Sequence, residues 1–425
     1  MPVVLISLVI YLLISCSRSD IESNPTPIVE NFNTLTSDEV VALNAATKNT
    51  LNITSKEAKC NLERFFYLSN KHKSNELNIV NIKTKTNKQR KDLYFEIEFA
   101  SDGKNGFAIM SSDERIPNVL CYVSKGSLAD TNENEILKFL IRSIDKFVEN
   151  SLNNYINIDS LLEAAKRKIL LRNKIITKSL PPFDPATWTF QNSYYDDHST
   201  DKIKDVEVAW HQHPPFNNNL QLIPGIATQN GRAYAGCGTV ATAHIMSYHK
   251  KPYKNITQNN WNSMVQSIYD SNIPVLFENL YNDLGTTSTI AYSSSTMQSA
   301  KTVLENNSYT VGNIYNAFNF DKIWSALNYG PTMIRGDDVN SGDGHRWVVD
   351  GARCFYHDYY EVYSYDYNGI TFYHTDLVYS IISKYLKYNW GWTDGNSDNW
   401  FISSCFEPGY GLDLSNNISL IEYIY

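Results

Sequence analysis

A proline-rich segment near the middle of the chain constrains its fold more than any other sequence feature. Residues 179–187 contain three prolines within five positions, and each proline fixes a backbone dihedral and withholds an amide donor. Such a segment is expected to be an extended, exposed connection that proteases can reach. The chain has 425 residues, more than one hydrophobic core usually organises, so the sequence predicts two domains, at 34–178 and 188–425, joined by this linker.

The composition is that of a folded protein. Hydrophobic residues make up 42% of the chain and charged residues 19%, which are ordinary globular values. The 37 Lys and Arg against 45 Asp and Glu give a net charge of −8, which argues against a nucleic-acid partner because such proteins need basic surfaces. Six cysteines are few for an exported chain, so a disulfide scaffold is not expected. Pairing among Cys60, Cys121, Cys354 and Cys405 is left open.

The first sixteen residues have the pattern of an export signal. Residues 3–14 are apolar but too short to span a bilayer comfortably, and Leu13–Cys16 resembles the bacterial lipoprotein cleavage box. In that pattern Cys16 becomes the lipidated N-terminus, although no Lys or Arg precedes the apolar core here. The prediction is a lipoprotein signal peptide at 1–16, a polar tether at 17–33 and a membrane anchor through Cys16, with a plain secretory signal as the alternative.

Helix and strand signals alternate along residues 34–178 and predict an α+β domain. Thr36–Glu39 is a capping box, in which the first side chain and the last one each bond the other's backbone amide. A polar loop at 101–106 predicts a hairpin turn between strands. Apolar residues at helical spacing predict a helix over 136–148, and Asp159 is predicted to cap another. The predicted strands lie at 93–99, 106–110 and 119–123.

The second half is dense in aromatic residues and Asn, and it also mixes both kinds of element. Strand-like runs occur at Gly344–Asp350 and Ile370–Tyr373, and a helix-like run at Met297–Leu304. These signals predict a second α+β domain over 188–425.

Cys237 is the candidate nucleophile of this second domain. A loop of small residues leads into it, about three turns of helix-compatible sequence follow, and Pro252 is expected to stop that helix. The N-terminus of a helix favours a thiolate over a thiol, and the thiolate is the species that attacks a carbonyl carbon. Judged alone, an inert core cysteine is the commoner interpretation.

Three other positions supply the groups that a thiol enzyme needs beside its nucleophile. His345 opens an apolar strand after a Gly-rich loop, so the strand can hold its imidazole in a cleft as a base; a surface histidine is the alternative. Asn389 can orient that imidazole, and the indole of Trp390 can shield the bond from water; an aromatic-rich turn is the alternative. Gln212 can donate to an oxyanion together with the backbone amide of Cys237.

The order Gln, Cys, His, Asn, with about a hundred residues between Cys and His, is that of papain-like enzymes. The surrounding segments resemble the streptopain family, papain-like cysteine endopeptidases made as zymogens by streptococci and Bacteroides-type bacteria. Phe107–Asp113 is similar to the inhibitory propeptide of that family, a weaker signal. The four segments that resemble the peptidase are Trp210–Asn217, Gly236–His249, Gly344–Gly351 and Asn389–Trp392.

The resemblance implies a papain-like catalytic domain at 188–425 preceded by a smaller α+β propeptide domain at 34–178. It implies protein or peptide substrates, the chain's own propeptide as inhibitor, and neither a metal nor a cofactor. It places the protein at the outer membrane or cell surface of a Bacteroides-type bacterium, with possible release of the mature domain. The implied roles are nucleophile for Cys237, ion-pair partner and later general acid for His345, oxyanion donor for Gln212, and ordering and cover of the histidine for Asn389 and Trp390.

Two departures from the family pattern stand close to the nucleophile. Gly238 and Thr239 follow Cys237 where relatives usually have Val and Ala, and His244 stands where Gln is usual. Neither removes a catalytic group. His244 lies seven residues from Cys237, on the same side of a helix, and a structural role is expected for it.

The same residues are also compatible with functions other than a peptidase. The same cysteine geometry can run acyl transfer or transglutamination, and a surface lipoprotein can keep a papain-like shell as a binding module, although a decayed site usually loses one of its four groups. His211 and His213 could bind a metal on a strand, but no second cluster joins them. The Asp-rich segments at 338–340 and 394–398 lack the Glu that a calcium loop needs at its twelfth position and are interpreted as turns.

Overall fold

The computed structural model describes most of the chain from residue 35 onward. The signal peptide, the tether and the linker predicted at 1–16, 17–33 and 179–187 lie outside the described residues. The two Asp-rich turn segments lie there as well. The residues left out are 1–34, 49, 70–75, 88–90, 130–134, 154–156, 176–187, 227, 229, 338–343, 368–369, 392–398 and 407–417.

The fold is α+β, with 34% helix and 37% strand. Helices in the described residues are α1 (Ser37–Lys48), α2 (Ser55–Ser69), α3 (Glu135–Asn153), α4 (Ile158–Ile175), α5 (Cys237–His249), α6 (Gln258–Gln266), α7 (Asn272–Asp283), α8 (Met297–Asn306) and α9 (Phe320–Ala326). Strands there are β1 (Asn78–Thr86), β2 (Asp92–Ser101), β3 (Lys104–Ser111), β4 (Val119–Val123), β5 (Thr189–Ile203), β6 (Thr287–Ser288), β7 (Ser293–Ser294), β8 (Ile314–Tyr315), β9 (Thr332–Asp337), β10 (Gly344–Tyr367), β11 (Ile370–Asn389), β12 (Asn399–Ile402) and β13 (Ser419–Ile421).

Two short-range predictions for the first half, the capping box and the hairpin turn, are confirmed. The backbone amide of Thr36 donates to the Glu39 carboxylate at 2.7 Å, and the Glu39 amide donates to the Thr36 hydroxyl at 3.3 Å, as a capping box requires. The hairpin between β2 and β3 turns at Asp102 and Gly103, whose φ values of 53° and 71° suit the two positive dihedrals of a tight two-residue turn.

One capping prediction for this half was wrong. Asp159 lies inside the first turn of α4, and the side chain of Asn157 accepts from the Ser160 amide at 3.0 Å instead. Asn and Asp are equally good caps, so the two residues compete, and the helix begins at Ile158, two residues earlier than a cap at Asp159 would place it. Asp159 then faces the positive end of the helix dipole.

One sheet runs through both halves of the described chain. Its strand order is β1-β2-β3-β4-β12-β11-β10-β9-β13-β8, and β5 pairs with β10 outside this path. The two halves join where β4 pairs with β12, with Val123 opposite Asn399 and Cys121 opposite Phe401. Buried residues from both sides of this junction form one hydrophobic cluster. The N-terminal half therefore packs on the C-terminal half through strand pairing and a shared core.

Strands β10 and β11 are much longer than the short runs predicted for them. No glycine or proline occurs between Ala352 and Asn368, and aromatic and β-branched residues fill that interval, which favours continued strand. Tyr367 pairs directly with Ile370, so two residues, Asn368 and Gly369, connect the strands, and Asn-Gly is a strong hairpin signal. We call the three-stranded extension formed by β5, β10 and β11 the arm.

The N-terminal half covers part of the arm. Phe65 on α2 stacks on Phe355 of β10 with ring centroids 4.7 Å apart, and Arg64 forms an ion pair with Asp197 of β5 at 3.0 Å. Farther along, α1 and α4 pack their apolar residues on Tyr379 of β11. No helix among the described residues is long and apolar enough to cross a membrane.

Candidate active site

The fold places Cys237 at the first position of α5. Gly236 precedes it with a φ of 83°, a dihedral that favours glycine, and a Cβ there would lie 3.1 Å from the Ser293 carbonyl oxygen. The helix ends at His249, where Lys250 adopts a left-handed conformation and donates its amide to Met246 at 2.7 Å. Cys237 itself is partly exposed, whereas the positions that follow it are buried, so the sulfur lies where solvent meets the core.

His345 lies beside Cys237 although 108 residues separate the two in sequence (345 − 237). It is the second residue of β10, which pairs there with Gly336 of β9. Burial by itself would raise the pKa of the Cys237 thiol, but a hydrogen bond from His345, the charges of His345 and Arg346, and the Arg346 backbone amide outweigh it and lower the pKa to about 7. The geometry can therefore hold a thiolate near neutral pH.

Two indole rings hold the imidazole of His345 in place. Its ring is nearly parallel to that of Trp347, at 5.8 Å and 15°, and to that of Trp390, at 6.3 Å and 20°. The two indoles lie 4.8 Å apart. The sequence motifs pointed to Trp390 but not to Trp347. Residues i and i+2 on a strand share a face, so the position of Trp347 two residues after His345 predicts this contact.

Asn389 ends β11 opposite Val348 of β10. Its Nδ2 donates to the Val208 carbonyl at 3.3 Å, and its Oδ1 accepts from the Gly391 amide at 3.1 Å. The side chain thus ties the Asn-Trp-Gly turn to the segment before Gln212, and this turn carries Trp390 to the histidine. The bond from Asn389 to the imidazole stays a prediction.

Gln212 lies next to the loop that leads into Cys237. Its backbone carbonyl accepts from the Ala235 amide at 3.1 Å, two residues before the nucleophile. The ring of its neighbour His211 packs edge-on against buried Phe216 at 4.5 Å, which anchors the segment. This bond places Gln212 beside the loop before Cys237; that the Gln212 amide donates to an oxyanion stays a prediction.

His244 has the contacts of a structural residue. It is fully buried, and its Nε2 lies 3.1 Å from the Trp210 carbonyl oxygen. Burial lowers the pKa of His244 to about 4, so the ring is neutral at physiological pH. Its Cε1 lies 3.8 Å from where a Cβ on Gly391 would sit, so it supports the turn behind the site.

Arg346 was not singled out from the sequence, yet it lies against the nucleophile's helix. The guanidinium is 2% exposed, with Nη2 donating to the Ser295 carbonyl at 2.6 Å and Nη1 to the Ser295 hydroxyl at 3.1 Å. A Cβ at Gly238 would overlap both Arg346 Nη1 and Ser295 Oγ. Gly238, the departure noted beside Cys237, therefore has a physical reason: the arginine occupies the space that a side chain would need.

Asp350 was also missed as a supporting residue. It is buried, its Oδ2 accepts from the Val206 amide at 3.3 Å, and its backbone carbonyl accepts from Lys204 at 2.7 Å. It thereby fastens to β10 the segment that continues to Val208 and Gln212. Burial raises the pKa of the Asp350 carboxyl to about 7, against the opposing charge of Lys387.

Within the described part of the chain, no group of three or more His, Cys, Asp or Glu is arranged to hold a metal ion. The His211 and His213 pair is engaged otherwise: His211 Nδ1 accepts from the His213 amide at 3.2 Å, and burial lowers the pKa of both rings. No disulfide joins the five cysteines in the described residues.

Comparison with known families agrees with the order of the two halves. The family model described as Peptidase C10 family matches residues 210–316, which include Gln212 and Cys237. The family model described as Spi protease inhibitor matches residues 50–148, which include β1 to β4. No curated protein matches the chain. His345 and Asn389 lie outside both matched ranges, so their assignment depends on the sequence motifs and the geometry.

An inhibitor domain followed by a peptidase domain is the order of a protease zymogen, and the first of these halves shares a sheet and a core with the second. Residues 210–316 are similar to the Peptidase C10 or streptopain family and residues 50–148 to a protease-inhibitor propeptide, so the chain is a cysteine-type endopeptidase that carries an N-terminal inhibitory propeptide.

Proposed function

We propose that this peptidase uses Cys237 as its nucleophile and His345 as the partner that first holds and later donates a proton. The observation that carries the proposal is the hydrogen bond between the Cys237 thiol and His345 at the N-terminus of α5, with the thiol pKa lowered to about 7. A thiolate paired with an imidazolium is the activated form of a cysteine nucleophile.

The reaction then proceeds in two halves. The Cys237 thiolate attacks the scissile carbonyl carbon, and the tetrahedral oxyanion accepts from the Cys237 backbone amide and the Gln212 side chain. His345 donates its proton to the leaving amine, and a thioester remains on the sulfur. The neutral imidazole next takes a proton from water, the hydroxide attacks the thioester, and the carboxylic acid leaves with the thiolate restored.

Asn389 and Trp390 serve this cycle by keeping the imidazole in one place. The bonds of Asn389 to Val208 and Gly391 fix the turn, and the indole stacked on His345 covers it from water. A shielded imidazole keeps its orientation through both proton transfers, which is the role that the third member of a triad has in other folds.

We further propose that residues 34–178 inhibit residues 188–425 until the linker at 179–187 is cut. The pairing of β4 with β12 supports this, because β12 also contacts the site: Phe401 of that strand lies 6.1 Å from the Trp390 ring. Separation of the N-terminal half would expose the edge of β12, the strand whose Phe401 packs on Trp390.

Residues 1–33 are proposed to export the zymogen and to anchor it at the outer membrane or cell surface through a lipid on Cys16, from which cutting the linker would release the peptidase. The support is the lipobox-like Leu13–Cys16 segment. Membrane fractionation and mass spectrometry of the N-terminal peptide test it. A Cys16→Ser variant that stays in the membrane fraction would contradict the anchor.

The catalytic assignment is tested with a peptide-library substrate and protein processed at the linker. Wild type is expected to cleave peptide bonds, Cys237→Ala to lose this activity, and Cys354→Ala to keep it, because Cys354 lies on β10 nine residues beyond His345. Activity that survives Cys237→Ala would overturn the assignment. Product analysis with an added primary amine distinguishes hydrolysis from acyl transfer, since only the latter places the acyl group on the amine.

A further inference from the structure

The nucleophile has a second positive group beside it that the mechanism above does not use. Arg346 directly follows His345, but neighbouring residues on a strand point to opposite faces. The two side chains therefore contact different residues of the helix that begins at Cys237. The histidine approaches the sulfur itself, whereas the guanidinium packs on Gly238, the next residue along the helix.

The guanidinium is fixed in this position by contacts that a surface arginine lacks. Both of its terminal nitrogens bond Ser295, one to the hydroxyl at 3.1 Å and one to the carbonyl at 2.6 Å, and the residue is 2% exposed. A planar guanidinium held by two bonds loses little further freedom. Gly238 completes the arrangement, because any side chain there would push the guanidinium off Ser295.

We propose that Arg346 is a positioning residue for catalysis, a permanent cation that keeps the Cys237 sulfur as a thiolate so that its reactivity does not depend on the protonation of His345 alone. The proposal rests on Cys237 being the nucleophile of the proposed function. An arginine stays charged throughout the physiological range, unlike an imidazole, and in a site of low dielectric a cation at short range acts strongly on a thiolate.

The groups around Cys237 support this division of roles. On β10 the two cationic candidates are His345 and Arg346, and Arg335 of β9 lies opposite Arg346 in the strand register. On α5 the nearest titratable ring is His244, which is neutral because burial lowers its pKa to about 4. Asn389 of β11 is uncharged. When His345 loses its proton, positive charge therefore remains on the Arg346 side of the helix.

The test measures the rate of alkylation of Cys237 by iodoacetamide against pH in the full-length chain, with the site of modification identified by mass spectrometry. Arg346→Gln is expected to move the inflection up by about one pH unit, so that alkylation below it slows about tenfold. The shift is expected to persist in a His345→Gln background. Profiles of Arg346→Gln and wild type that superimpose would overturn the proposal.

Arg353→Gln is the matched control. Arg353 lies on the same strand, is equally buried at 2% and forms an ion pair with Asp201 at 3.1 Å, but it is seven residues farther along β10. It is expected to leave the inflection in place. If Arg353→Gln moves the inflection as far as Arg346→Gln does, loss of a buried arginine in general explains the effect and the proposal fails.

Gly238→Ala tests the same idea without removing the charge. The new methyl group should displace the guanidinium and give a smaller upward shift of the inflection, although alanine is the better helix former. In an Arg346→Gln background the same change should add no further shift, because the two act through one contact. Equal shifts in both backgrounds would contradict the proposal.

Alkylation needs no peptidase activity, so a failure of the proposed function would show separately, as peptide cleavage that Cys237→Ala does not abolish.

Discussion

Replacing Asp350 with Asn should change how the stability of the protein depends on pH. The carboxyl is buried beside the active-site segment, where it accepts the Val206 amide, and burial raises its pKa to about 7. In the unfolded chain the same group titrates at its ordinary value, 3.8. A buried carboxyl that stays protonated to neutral pH is thus coupled to folding.

The sign follows from which state holds the proton. Below about pH 4 both states hold it, and above about pH 7 neither does, so outside that window the free energy of unfolding does not change with pH through this group. Between the two values the unfolded chain has released the proton while the folded chain keeps it, so stability falls as the pH rises. Three pH units at about 1.4 kcal/mol each correspond to about 4 kcal/mol lost by pH 7.

Asn keeps an acceptor for Val206 but has no proton to lose, so Asp350→Asn should not show this loss. Thermal unfolding of wild type and variant at pH 5 and pH 8 measures it. About 3 kcal/mol of the loss falls between pH 5 and pH 7, and a chain of 425 residues has an unfolding entropy of about 0.9 kcal/mol per degree. The melting temperature of the variant relative to wild type is therefore expected to rise by about 3 °C between the two pH values. Asp366→Asn, an exposed carboxylate on the same strand, serves as control. A difference between Asp350→Asn and wild type that is equal at both pH values would refute the reasoning.

Three further substitutions probe the site and its cover. Gly391→Ala should lower the melting temperature and the peptidase activity, because Gly391 has a φ of 71° and a Cβ there would lie 2.5 Å from Val240 Cγ1. Gly103→Ser, at a solvent-exposed glycine, is the comparison. Trp347→Leu should lower kcat with little change in KM, since it loosens His345 and the indole is buried, at 1% exposed; an unchanged kcat would contradict the stacking role. Phe65→Ala should weaken the contact of the N-terminal half with the arm by about 3 kcal/mol. A protease should then cut the linker of the intact zymogen sooner. Cutting at the wild-type rate would argue that this contact does not hold the N-terminal half in place.

Features that depend on a few neighbouring residues could be predicted from the sequence. The capping box at Thr36–Glu39, the hairpin turn at Asp102 and Gly103, and the helix that begins at Cys237 all depend on local dihedral preferences and nearby hydrogen bonds. The error at Asp159 was local too, because Asn157 is an equally good cap. The Asn-Gly pair between β10 and β11 is a hairpin signal in the sequence, and the prediction of short strands did not use it.

The candidate site was predictable in its residue types and only partly in its geometry. Motifs in order pointed to Cys237 and His345, and the structure brings these two together. No pattern in the sequence indicated that Arg346 lies on Gly238, because that contact joins residues 108 positions apart (346 − 238) and depends on which strand lies over the helix.

The sequence by itself predicted the α+β class, the candidate nucleophile and base, and the resemblance to the streptopain family. Tertiary structure alone decided that β4 pairs with β12, so that both halves share one sheet, and that Trp347, Arg346 and Asp350 surround the site. The physical reason is range: caps, turns and periodicity act over a few residues, whereas strand order and side-chain packing depend on contacts between distant parts of the chain.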